Sequence, residues 1–260
     1  MGKNDMVAPD RWPGGYVVVY DCESDCGFSD VAGYTRDEKI TKYMQFTCIC
    51  ASVIPSSSIV RNAAPEEVVA QATKMTWWRD IAEEGCSPID SLLDLFDGAD
   101  VIVGYNCLAF DFPLIRRFYK PVSGLSVVQR YIEHRSKTLD IMARVRDATG
   151  MYYKLDKLLT ENGLPVKCGD GQKAVQMWAA NDRDNLERYC AMDVDLTAKL
   201  SLLENIIFNR HPRLSLPQHV HGLRSALAAR KAAGAQKRLR DKEDGNEDGN
   251  EVGSEGFVLV

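Results

Sequence analysis

The sequence lacks any apolar run near the roughly 20 residues that a membrane-spanning helix needs. Its longest strand-like run, Tyr16 to Tyr20, is far too short. The first six residues, Met1 to Met6, hold no apolar segment of the kind that forms the heart of a secretory signal. Gly2 is followed at position 6 by Met, where a myristoylation signal wants Ser or Thr. Among the eight cysteines there is no Cys-x-x-Cys, and no His pair follows at zinc-finger distance, which argues against a structural zinc site. There is no internal repeat. These absences set the expectation of a soluble, intracellular chain, in cytoplasm or nucleus, with no membrane partner. Its cysteines are read as reduced, small core residues; Cys48 and Cys50 alternate on one face of an apolar run.

What is present is ordinary in bulk. With 260 residues, 45% apolar and 27% charged, the chain has ample length for a core and fits one generous domain or two small ones. That composition excludes collagenous, wholly disordered and disulfide-stapled classes. A net charge of −5 argues against a polyanionic partner until the charges are located. Residues 241–260 carry seven acids against Lys242, so this tail holds −6 and residues 1–240 hold +1. Between Leu114 and Lys157, ten bases face four acids, a +6 segment suited to a phosphate backbone or, equally simply, to a solvated helical face.

The patterning is that of an α/β chain with a mixed sheet. Tyr16–Tyr20 reads as a buried first strand, Tyr43–Ile54 as a second, and a third falls within 57–77. A helix opens at Ser87-Pro88-Ile89-Asp90 and ends at Asp97-Gly98. A strand over 101–105, a helix over 110–119 and a short strand over 138–142 follow. Helices are expected at 154–162 and 172–180, and a long one from about Asp184 to Phe208. Beyond His211 the apolar period is lost. The division expected is an N-terminal arm (1–13), a domain over 14–210, a basic Ala/Arg/Lys-rich extension over 211–240 and an acidic disordered tail over 241–260. His219 and His221 read as loop residues.

Three elements carry chemistry. Asp21-Cys22-Glu23 ends the first strand, and alternation sends both carboxylates to one side, where a divalent cation would relieve their repulsion. Asn106-Cys107-Leu108-Ala109-Phe110-Asp111, with Pro113 and Leu114, joins a buried strand to a helix. Tyr189-Cys190-Ala191-Met192-Asp193 places a phenol and a carboxylate one helical turn apart on the face carrying Leu196 and Leu200. Each has a plain structural reading: a solvated strand end, a helix cap, and a Tyr–Asp hydrogen bond.

Taken in this order, the three resemble the exonuclease motifs of the DEDD superfamily of 3′→5′ exonucleases, in the tyrosine subtype because position 188 is Arg rather than His. The wording is most similar to the proofreading exonuclease domain of family B DNA polymerases, over about residues 14–208, and the expectation is a stand-alone nuclease. Tyr153-Lys154-Leu155-Asp156 also resembles a stretch of that domain. Cys22 and Ser24 depart from the usual aliphatic residue and Thr. The resemblance implies a ribonuclease-H-like fold, with a mixed five-stranded sheet flanked by helices. It also implies two Mg²⁺ ions, for which Mn²⁺ can substitute, held by Asp21, Glu23, Asp111 and Asp193, with Tyr189 orienting the attacking water. Asn106 and Phe110 would contact the substrate strand, and Arg116 and Arg117 its phosphates. The function implied is stepwise hydrolysis of DNA, preferably from single-stranded 3′ ends, to mononucleotides. The alternatives are an RNA-directed relative and a non-catalytic nucleic-acid-binding module.

Overall fold

In the computed structural model the described residues are 14–60, 63–82, 84–122, 124–166, 171–208 and 218–247. The expected N-terminal arm and residues 248–260 of the expected tail lie outside them. Strand β1 (Tyr16–Ser24) alternates Tyr16, Val18 and Tyr20 on one face with Val17 and Val19 on the other, all buried. An apolar pattern on both faces is what a central strand covered on both sides requires. The loop after β1 holds one helical turn, α1 (Arg36–Glu38), with a Thr35–Glu38 capping box, running into a π-helical turn at Lys39–Tyr43. That turn occupies the start of the expected second strand, so β2 (Phe46–Pro55) begins later.

Helices α2 (Ser56–Val60) and α3 (Pro65–Ala70) lead to β3 (Thr73–Trp78). Helix α4 spans Asp90–Gly98. It starts three residues after the expected Ser87 cap, because the Asp90 carboxylate instead accepts the Ser87 N–H in a preceding turn. Strand β4 (Val101–Gly104), α5 (Asp111–Ile115), α6 (Val127–Ser136) and β5 (Thr138–Asp140) follow. Then come α7 (Ile141–Thr149), α8 (Leu155–Glu161), α9 (Gly171–Ala179) and α10 (Arg183–Leu202). The expected long helix is cut at Leu202. Alternating Ile206 and Phe208 are buried in β6 (Asn205–Phe208), which pairs with β7 (Gln218–His221). His219 and His221 are therefore strand residues, not loop residues. Helix α11 (Leu223–Glu247) roots Leu223 and Leu227 in the core and runs into the first part of the segment expected to be disordered.

The main sheet has the order β3-β2-β1-β4-β5, with β2 antiparallel to both neighbours and β1, β4 and β5 mutually parallel. This is the ribonuclease-H-like, mixed five-stranded sheet that the sequence implied. One core lies between the sheet and α10 with α8; the other lies under α4 and α5. One face of the edge strand β3 is tied to α10: Thr76 donates to Glu187 at 2.7 Å, and Lys74 pairs with Asp195. Among the described residues, no helix is long and apolar enough to cross a membrane.

Candidate active site

Asp21 and Glu23 share the parity of Val17 and Val19, so they lie on the α10 side of the sheet. β1 continues through both acids to Ser24, with a register irregularity between Cys22 and Ser24. Asp21 is half-buried and Glu23 buried. The Cys190 thiol, on α10, lies 3.5 Å from the Asp21 carbonyl oxygen, to which it donates. Among the described residues, Asp21, Glu23 and Cys190 are the one set of three or more Asp, Glu, His or Cys donors whose ligand atoms fall within 4.8 Å of each other.

The second element is a tight loop between β4 and α5. Gly104 is required where it stands, since a Cβ there would sit 2.6 Å from the Cys107 Cβ. Asn106 has φ +63°, a left-handed conformation that Asn tolerates better than most residues. Its carbonyl accepts the Ala109 and Phe110 N–H groups at 3.1 and 3.0 Å. The buried Asp140, at the end of β5, holds the loop from outside: Oδ1 accepts from Asn106 N and Oδ2 from Leu108 N, at 3.0 and 2.9 Å. Oδ1 also caps α7 by accepting from Ala143 N at 3.1 Å.

Asp111 then opens α5, and its Oδ1 accepts the Cys22 N–H at 2.9 Å. Burial pushes its carboxyl up to about 7, against the opposing hydrogen bonds from Cys22. Phe110, beside it, meets Phe28 edge to face at 5.8 Å. Arg116 stacks over Tyr131 at 5.3 Å. Arg117 instead donates to the carbonyls of Ile40, Thr41 and Met44, so its guanidinium braces the turn after α1.

On α10, Tyr189 and Asp193 are both buried, one turn apart on the face against the sheet, with Val194, Thr197 and Leu200. Thus α5 brings the carboxylate of Asp111, and α10 the thiol of Cys190, to the end of β1. Asp111 is joined to β1 through Cys22 N, whereas Asp111 and Asp193 stand outside the closest donor group. Three residues near the site escaped the sequence reading. Asp140 was hidden inside an expected strand over 138–142; the only sign of its capping role is its place three residues before Ala143. Cys190 was read as core, and Phe28 sits in a loop without periodicity.

Oxygen donors from Asp21 and Glu23 fit a hard divalent cation such as Mg²⁺ or Mn²⁺. Burial pushes the Cys190 thiol well above its ordinary value, and it serves as a hydrogen-bond donor to β1.

A ribonuclease-H-like sheet with acids gathered beside the carboxyl end of its central strand defines the class of architecture. No protein-family model and no curated protein matches the chain. Solved structures similar to it include the family B DNA polymerase of the hyperthermophilic archaeon Pyrobaculum calidifontis, at 19% identity and a TM-score of 0.48, covering 73% of this chain and 24% of that one. A zinc-bound complex of E. coli exonuclease I with single-stranded DNA is similar at 12% identity and a TM-score of 0.39, over 73% of this chain and 40% of that one. The complex of E. coli exonuclease I with a 5cy-dT13 oligonucleotide gives 13% identity and a TM-score of 0.32, over 67% and 42%. The chain spans about a quarter of the polymerase and two-fifths of exonuclease I.

Proposed function

We propose that this chain is a metal-dependent 3′→5′ exonuclease that hydrolyses the phosphodiester bonds of DNA, preferably from single-stranded 3′ ends, to mononucleotides. One observation carries the reading. Two hydrogen bonds onto the β1 backbone, Asp111 to Cys22 N and Cys190 to the Asp21 carbonyl, draw elements 89 and 169 residues apart to the strand that bears Asp21 and Glu23. All four acids and Tyr189 of the motif set are present. In this reading residues 14–210 hold the nuclease unit, with the basic extension over 211–240 and the acidic tail beyond.

Asp21, Glu23 and Asp193 would hold one divalent ion, with Asp21 shared by a second that Asp111 holds directly or through water. Such ions, when bound, neutralise the phosphate and ease deprotonation of the attacking water. The protein's own part is placement. Asp21 is fixed by its pairing with Cys50, Glu23 stands at the register irregularity just beyond it, and Tyr189 orients the water; an unperturbed phenol is too weak an acid to be ionised at neutral pH. Phe110, set edge to face with Phe28, offers an aromatic surface to a terminal base, which suits trimming without sequence preference. Both arginines are exposed, but the Arg117 guanidinium is held by three backbone carbonyls, which leaves Arg116 the better placed to meet phosphate.

The test is digestion of 5′-labelled single-stranded DNA, duplex DNA and RNA with and without Mg²⁺. Wild type is expected to shorten single-stranded DNA from its 3′ end, and Asp21→Ala and Asp193→Ala to lose that activity. Equal digestion by wild type and Asp21→Ala would refute the assignment, and faster digestion of RNA would reassign the substrate.

A further inference from the structure

A cavity of about 190 Å³ lies at the carboxyl ends of β4 and β5, lined by Asn106, Arg135, Asp140, Met142, Arg146 and Tyr152 among others. β1, β4 and β5 are successive neighbours, so the cavity stands two strand spacings, on the order of 10 Å, from the Asp21–Glu23 pair. One of its walls is the Asn106 loop itself.

Its chemistry is anionic-ligand chemistry beside an open aromatic. Asp140 is its one lining acid, and both carboxylate oxygens are taken by backbone N–H groups. Arg135 is held in place by donation to the Leu108 carbonyl at 2.7 Å and to the Tyr131 hydroxyl at 3.4 Å. Arg146 lies over the Tyr152 ring at 5.7 Å. Tyr152 is 65% exposed, an aromatic that folding leaves in water rather than in a core. A pocket that encloses a free small molecule is about 300–1,000 Å³. This one is too small for that and has room for one phosphate and the edge of its sugar, with the base outside against Tyr152.

Resting on the nuclease reading above, we propose that this cavity is a subsite for a nucleotide of the retained strand, on the 5′ side of the scissile bond. Arg135 and Arg146 contact its phosphate, and Tyr152 stacks on its base. An enzyme that releases mononucleotides holds only one unit beyond the bond it cuts, so a second subsite belongs to the strand that stays. The occupant is single-stranded DNA, whose bases are free to stack on an exposed ring.

The experiment measures binding of a 5′-fluorescein (dT)8 strand to the full chain, by anisotropy in EDTA across a salt series, and hydrolysis of (dT)8 and of p-nitrophenyl thymidine 5′-phosphate in Mg²⁺. The ester has no retained nucleotide. Tyr152→Leu is expected to weaken binding about tenfold with its salt slope kept, because stacking is lost, and Tyr152→Phe restores it. Arg146→Ala is expected to weaken binding and to reduce the slope of log affinity against log salt by about 0.7, the share of one phosphate on a single strand. The ratio of (dT)8 to ester hydrolysis falls about tenfold in Tyr152→Leu. Arg144→Ala, which removes an exposed charge from the same helix outside the cavity lining, changes binding less than twofold. If Tyr152→Leu and Arg146→Ala bind and cut (dT)8 as wild type does, while Asp21→Ala is inactive, the subsite is refuted and the nuclease reading stands. If wild type cuts neither substrate yet binds (dT)8 through Tyr152, the nuclease reading falls and the cavity is a strand-binding site alone. If wild type neither binds nor cuts, both are overturned.

Discussion

With one carboxylate, Asp140 accepts three backbone N–H groups: two in the Asn106 loop and one at the start of α7. Asp140→Ala removes all three acceptors at once. Hydrogen bonds to a charged group contribute about 1.5–3 kcal/mol each, and an N-cap Asp about 0.5–2 kcal/mol. These values do not add, because the loop can relax and water can enter the adjoining cavity. A loss of about 3 kcal/mol is expected, which lowers the Tm by about 6–12 °C for a domain of this size. Asp140→Asn keeps one acceptor oxygen and turns the other into a donor facing an N–H, so it falls between wild type and Asp140→Ala. Urea unfolding followed by far-UV circular dichroism measures the difference, and digestion of a 5′-labelled strand measures the effect on the loop. Activity is expected to fall further than the remaining folded fraction explains, because Asn106 to Asp111 lose their anchor. An Asp140→Ala protein within 0.5 kcal/mol of wild type would refute the claim that this carboxylate holds the loop.

Three further outcomes are expected. Gly104→Ala forces a Cβ against Cys107 and costs about 1–3 kcal/mol, readable as a lower urea midpoint; an unchanged midpoint would mean that the loop yields freely. Stability falls as pH drops from about 7 towards 5. Buried His134 donates from Nε2 to Asp97 and accepts the Tyr119 hydroxyl at Nδ1, and burial outweighs the pull of Asp97 and lowers its pKa. The unfolded chain therefore takes up the proton first, and stability present above the ordinary His range is lost below it. Asp97 acts in the same direction at lower pH: burial would raise its carboxyl, but hydrogen bonds from His134 and Arg130 hold it below its ordinary value. Urea midpoints at pH 7.5 and 5.5 should converge in His134→Gln, and parallel curves for wild type and variant would remove His134 as the cause. Finally, Tyr189→Phe should slow turnover while leaving Mg²⁺ binding by calorimetry intact, and lost binding would make Tyr189 a structural residue.

Local patterning made most strands legible. Tyr16–Tyr20 and 101–105 announced themselves by continuous apolar and β-branched runs, as strands buried on both faces do. Helix α6 gave no such signal, because the residues it buries are Arg130 and His134 rather than an apolar stripe. Arg130 is accommodated by the two-pronged contact of its guanidinium with Asp97, 33 residues earlier, and by Asp94 and the Lys120 carbonyl. The end of α10 at Leu202 was equally hidden: Ile206 and Phe208 continue an apolar pattern that suits either period, and pairing with β7 decides for a strand. The candidate site was readable as residue types at fixed spacing, whereas the contacts that join those residues were not.

By itself the sequence determined what short-range geometry dictates. A period of two sends Asp21 and Glu23 to one face of β1, a period of 3.6 aligns Tyr189 with Asp193, and the placement of charge separates an acidic tail from a near-neutral body. Only the tertiary structure decided that Asp111 reaches the Cys22 N–H, that Cys190 donates to Asp21, and that Asp140, Arg135, Arg146 and Tyr152 surround one cavity. The first two contacts join elements 89 and 169 residues apart, and the cavity brings the Asn106 loop against residues from the 135–152 segment. Their closure is fixed by how the sheet buries its two faces, a property of the whole packed chain that no local spacing encodes.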